Sequence, residues 1–132
     1  MRVIFVIILL LCYNKSFACK CKTYPITKEK SQSELKLEYS FESSTIIFYG
    51  NYIGDGKFEV IKLYRGKQKL NNKKLIEEKE EENLCDYFFE ENKKYLVFGN
   101  IDEKGKLWTS VCLTNSQIGN KSELKFVKRY LQ

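Results

Sequence analysis

Tyr95-Leu96-Val97-Phe98-Gly99 is the stretch whose reading decides the fold. It is the strongest β pattern in the chain, and it lies between two turn signals. Glu90-Glu91-Asn92-Lys93 precedes it and Asp102-Glu103-Lys104-Gly105 follows it, so it reads as a strand that is entered and left abruptly. After the second turn, Leu107-Trp108-Thr109-Ser110-Val111-Cys112 predicts the last strand of the chain. Upstream, Thr45-Ile46-Ile47-Phe48-Tyr49 is β-branched and aromatic, which predicts another. Gly50 directly behind it suggests a bulge or sharp bend of the kind that barrels need. Ile53-Gly54-Asp55-Gly56 is a hairpin turn into a strand carrying Phe58, Val60, Ile61, Leu63 and Tyr64, which Arg65-Gly66 ends. Residues 67–74, KQKLNNKK, read as a polar, mobile loop. Lys74 to Glu80 predicts one further strand with only Leu75 and Ile76 as apolar content, and the acidic run Glu77–Glu82 reads as solvated at its tip.

Two helices flank these strands. Ser31 with Glu34 is a capping-box pattern, and Leu35 and Tyr39 follow at i, i+4 with Glu38 and Glu42 on the other side, which predicts a helix over 31–43. Ser122 is positioned to cap a final helix with Leu124, Val127 and Leu131 on one face and Lys125, Lys128 and Arg129 outward. The fold class is therefore mainly β, with five short strands and two helices outside them.

The chain begins with a short positive Met1-Arg2 and an unbroken apolar run from Val3 to Leu11, about half the length of a membrane-spanning helix. Ser16-Phe17-Ala18 then places small residues three and one positions before a cut. Residues 1–18 read as a signal peptide and residues 19–132 as one exported domain. The chain is then secreted, or periplasmic or at the cell surface in a bacterium. An acylated Cys19 would instead make a surface lipoprotein, the one case that places it on a membrane; Ser16 and Phe17 fit that lipid signal poorly.

Loss of residues 1–18 removes Cys12 and leaves Cys19, Cys21, Cys85 and Cys112. An even count in an exported chain implies disulfides. Cys19 and Cys21 are too close along an extended chain for an easy bridge, so each crosses to Cys85 or Cys112. The same cut removes Arg2 and Lys15, lowering the formal net charge of +6 by two units. A mild basic balance suits an acidic polysaccharide better than nucleic acid, since both signs are mixed along the chain. The chain has no histidine, which excludes histidine-based triads, cysteine–histidine pairs and His-ligated metals. No enzymatic activity, metal or cofactor of its own is expected.

The ordered set Cys19-Lys20-Cys21, Ile46-Ile47-Phe48-Tyr49-Gly50, Tyr64-Arg65-Gly66, Cys85, Lys94-Tyr95-Leu96-Val97-Phe98-Gly99 and Cys112 resembles the netrin-module superfamily. Within it, the chain resembles the N-terminal inhibitory domain of tissue inhibitors of metalloproteinases, over about residues 19–131. The resemblance implies a five-stranded oligonucleotide/oligosaccharide-binding (OB) barrel. It implies the pairing Cys19–Cys85 and Cys21–Cys112, without the family's third bridge in this domain. It further implies that a mature Cys19 offers its amine and carbonyl to the catalytic zinc of a metalloproteinase. Lys20 would enter the enzyme's specificity pocket, with Cys21 beside it, and Glu82, Asn83 and Leu84 would occupy the family's Glu-Ser-Val contact segment. In the animal inhibitors the residue at the Lys20 position is usually small, so a lysine here points to a pocket with an acid at its base. The same motifs suit a netrin-type binding module whose cysteines are purely structural.

Overall fold

The computed structural model describes residues 19–25, 27–80, 85–118 and 129–130. The predicted signal peptide, the Glu82-Asn83-Leu84 segment and nearly all of the predicted final helix lie outside these residues. Among the described residues, no helix is long and apolar enough to cross a membrane.

Strand β1 spans Ile46–Gly54 and β2 spans Lys57–Arg65, joined by a two-residue turn at Asp55-Gly56. Both turn residues have positive φ, 51° and 68°, the geometry that matches a hairpin's right-handed twist. Strand β3 spans Leu75–Glu78, β4 spans Lys93–Ile101 and β5 spans Lys106–Trp108. The order β1-β2-β3-β5-β4 closes because β4 pairs back onto β1, from Ile46↔Gly99 to Tyr52↔Lys93. All neighbours are antiparallel except β3 and β5, which run parallel. This is the expected five-stranded barrel. The register of β1 against β2 shifts between Tyr49 and Gly50, where a Cβ would lie 2.8 Å from the Glu59 carbonyl oxygen. Gly50 thus marks the bend because the partner backbone leaves no room for a side chain.

Alternation along β1 and β4 divides the apolar residues between two cores. Ile46, Phe48, Tyr95 and Val97 point into the barrel with Phe58, Leu70, Ile76, Phe89 and Leu107. Ile47, Tyr49, Leu96 and Phe98 point outward and pack with Phe41, Leu113 and Ile118. The outer core is covered by helix α1, Gln32–Ser43, which starts at the predicted capping box of Ser31 and Glu34. The helix turns inward the stripe of Leu37, Ser40 and Phe41 rather than Leu35 and Tyr39 alone. Phe41 is 5% exposed and meets Phe98 edge-on at 5.0 Å. Arg65, at the end of β2, donates from Nη1 to the Phe41 and Ser44 carbonyls, satisfying carbonyls that the C-terminal turn of α1 leaves open.

Three expectations change. Residues 67–74 are not merely a mobile loop: Lys67–Leu70 forms a short helix, α2, and Leu70, 6% exposed, belongs to the barrel core. The predicted third strand shortens to Leu75–Glu78, with Ile76 buried and Leu75 outward. The predicted last strand ends at Trp108 instead of running to Cys112. There the β4 edge is completed by side chains: Phe98 N–H donates to Asn115 Oδ1 (2.8 Å), and Thr109 Oγ1 donates to the Phe98 carbonyl (2.6 Å). Beyond them a two-residue strand, β6, Ser116–Gln117, pairs with Tyr95 and Leu96.

Candidate functional site

Cys19, Lys20 and Cys21 lie along one edge of the barrel, held by two bridges. Cys19 is bonded to Cys85 (Cα–Cα 5.1 Å) and Cys21 to Cys112 (Cα–Cα 5.2 Å). The bridges sit side by side, with Cys19 Sγ 3.7 Å from Cys112 Sγ. The sulfurs of Cys19, Cys21 and Cys112 come within 4.8 Å of one another, but each is already in a disulfide and offers no thiolate to a metal. Val111 N–H donates to the Cys85 carbonyl at 2.8 Å, so the two receiving segments are themselves joined. Cys19 is half-buried, whereas Lys20 and Cys21 are exposed.

Helix α1 fixes this edge to the barrel. Lys36 Nζ donates to the Val111 carbonyl at 3.1 Å, one residue before Cys112. Buried Ser40 donates to its own helix at the Lys36 carbonyl (2.8 Å) and accepts the Thr114 N–H (2.9 Å). The arm that continues from Cys21 lies against the same helix. Lys22 Nζ stands 5.8 Å from the Tyr24 ring centre and 5.2 Å from that of Tyr39, within cation–π range. Gln32 Nε2 donates to the Tyr24 carbonyl at 2.7 Å. Partial burial, and next the neighbouring Tyr39, push the Tyr24 phenol up.

Directly after Cys85 the surface opens into a cleft of about 970 Å³. Phe88 and Trp108 line it, as do Tyr52, Tyr87 and the carboxylates of Asp55, Glu77, Glu78, Glu80 and Asp86. Lys57, Lys79 and Lys106 are its basic residues. Lys106 is paired with Glu77, whose carboxyl it holds below its ordinary range. Glu78 accepts a hydrogen bond from the Tyr52 hydroxyl, which in turn accepts the Gly56 N–H at 3.0 Å. Burial first, and then the Asp86 charge, push the Glu78 carboxyl up to about 7.

The structure brings Cys19, Lys20, Cys21, Cys85 and Cys112 together. Glu82, Asn83 and Leu84 fall outside the described residues, although Cys85 anchors the end of their segment. Sequence reasoning missed the Lys22–Tyr24–Tyr39 clamp, whose signal was a lysine two residues before a tyrosine at the foot of an amphipathic helix. It also missed the cleft, whose signal was Phe88 beside Phe89: two adjacent aromatics cannot both face the same core.

A family model described as "Tissue inhibitor of metalloproteinase" matches residues 18–124. No curated protein matches the chain.

Proposed function

We propose, from the premise that this chain belongs to the tissue inhibitor of metalloproteinase family, that it blocks a zinc endopeptidase through the amine and carbonyl of a mature Cys19. The family supports a metalloproteinase-inhibitor role in general terms. The observation that carries the finer reading is the pair of adjoining disulfides, 3.7 Å apart, that clamp residues 19–21 from both sides. Removal of residues 1–18 turns the Cys19 nitrogen from an amide into an amine. An α-amine has a reference pKa of about 7.7–8.0, so it gives up its proton to a metal at little cost near neutrality. Amine nitrogen and carbonyl oxygen close a five-membered chelate on the position that a catalytic zinc keeps open for water. The zinc belongs to the target. The clamp holds the chelate in one geometry before binding, so little chain entropy is lost on contact. Exposed Lys20 is then free to enter the pocket beside the metal, where an acid at the base would pair with it.

The experiment is inhibition of a panel of zinc endopeptidases by the native mature chain, a form extended by Ala18, and Lys20→Thr. Intact mass first establishes that the native form begins at Cys19. The extended form has an amide in place of the amine and a residue in the metal's path, so it should lose inhibition while keeping both disulfides. Lys20→Thr should shift inhibition toward enzymes with apolar pockets. Undiminished inhibition by the extended form would overturn the chelation mechanism. Inhibition of nothing by any form would leave the family likeness as one of fold, with the cysteines purely structural.

A further inference from the structure

Phe88 is the most exposed large apolar side chain among the described residues, at 85%, and its neighbour Phe89 is buried in the barrel. The packed neighbour holds the Phe88 ring out in water at the lining of the cleft, where it is available to a partner. Across the same cleft stands Trp108, 41% exposed and the only tryptophan of the chain. The charged neighbour that acts on Glu78 within the cleft is a second carboxylate, Asp86. Two exposed aromatic rings in a cleft whose charged lining is mostly carboxylate make a place where a cation is favoured twice, by ring quadrupoles and by the acidic lining. The wider lining keeps that sign, with five carboxylates to three ammonium groups on a chain whose net charge is +6. An acidic polysaccharide is therefore repelled here. The cleft begins one residue beyond Cys85, the partner of Cys19, so it adjoins the end of the cysteine edge.

We infer that the cleft between Phe88 and Trp108 is a docking pocket for a basic side chain, arginine or lysine, presented by the protein that engages the Cys19 edge. This rests on the inhibitory reading above and deepens it, because it adds a second determinant of target choice to Lys20. Lys20 seeks an acid on the target, and the cleft seeks a base. A target carrying both, spaced as the two sites are spaced here, is selected over one carrying either.

The pocket can be tested without the target. The folded, disulfide-bonded chain is titrated with N-acetyl-arginine methylamide while Trp108 fluorescence is followed. A saturable change is expected, with the uncharged isostere N-acetyl-citrulline methylamide bound about tenfold or more weakly. Phe88→Ala and Glu78→Gln should each weaken the arginine probe about threefold or more. Phe88 is exposed and Gln has the shape of Glu, so both variants should keep the parent near-UV dichroism. Equal binding of the arginine and citrulline probes, no saturable response to arginine, or a response to neutral oligosaccharide alone overturns the pocket. So does unchanged binding by both variants. If the Ala18-extended form inhibits as well as native while arginine still binds, the chelation reading falls and the pocket stands. If inhibition needs a free Cys19 but arginine does not bind, the pocket falls and chelation stands.

Discussion

Removing either disulfide alone should cost nearly the same, although the bridges span 66 and 91 residues. The reason is their adjacency. Taken by itself, each closes a long loop, and the chain-entropy relation gives roughly 4.4 and 4.6 kcal/mol. The two are not independent, however. With Cys21–Cys112 intact, Cys19 already reaches the neighbourhood of Cys85 by a short path: to Cys21, across the bridge to Cys112, and back along the chain. The loop that Cys19–Cys85 then closes is only about 29 residues, worth about 3.6 kcal/mol. The same path, read in the other direction, gives the same figure for Cys21–Cys112. Loss of both should cost about 8 kcal/mol, more than the sum of the single losses, because the second removal opens a full-length loop. That would take most of the stability of an ordinary domain. The assay is urea unfolding of the Cys19→Ser/Cys85→Ser and Cys21→Ser/Cys112→Ser paired variants, which leave no free thiol at either bridge. Each should also melt roughly 10–20 °C below the parent. A cost under about 1 kcal/mol for either pair, or a gap above about 1.5 kcal/mol between them, would refute the shared-loop reasoning.

Two further outcomes follow from polar groups partly or wholly removed from water. Glu78 has its folded carboxyl raised to about 7, so the folded chain holds that proton more tightly than the unfolded chain does. Its contribution is fully present below the ordinary carboxyl range and is lost as pH rises through 7; because the group is partly exposed, the loss is on the order of 1–2 kcal/mol. Urea midpoints measured from pH 4.5 to 8 should fall with pH in the parent, and Glu78→Gln should flatten that fall and be the more stable form at pH 8. Ser40→Ala should destabilise by about 1–3 kcal/mol, since the half-buried Thr114 N–H loses its acceptor. Thermal melting reads the loss, and a midpoint equal to the parent's would mean that water replaces the hydroxyl.

The barrel was legible where residue type and backbone need coincide. Gly50 sits where the Glu59 carbonyl excludes a Cβ, and Asp55-Gly56 sits where both φ values must be positive, so each position carries its own signal. The runs at 46–49 and 95–98 were readable because both faces of β1 and β4 are buried, one in each core. What was not legible lies where a polar residue does structural work. Ser40 lies inside the buried stripe of α1 because Lys36 and Thr114 satisfy its hydroxyl, and a hydrophobic pattern cannot register that. Leu70 was hidden among lysines and asparagines because α2 needs only one side chain to close the barrel end. The strand after Trp108 looked continuous because Thr109 has high β propensity, yet Thr109 and Asn115 use their side chains in place of the ladder.

The same distinction separates the two parts of the site. The cysteine edge is encoded by residue type: Cys19, Cys21, Cys85 and Cys112 pair with one another, and their positions hold residues 19–21 against the barrel. The cleft is encoded by juxtaposition. Glu78 comes from β3, Tyr52 from β1, Phe88 and Asp86 from the segment after Cys85, and Trp108 from the last residue of β5. No two of these elements adjoin in the chain except through turns and loops. They meet because β3 and β5 pair in parallel, Glu77 against Lys106 and Glu78 against Leu107, within the barrel that β1 and β4 close. The cysteine edge is thus held by two bridges, and the cleft by the folding of the strands around it. If the chain inhibits a protease, the cleft adds to Lys20 in the choice of target, and juxtaposed residues of this kind are what a motif reads least.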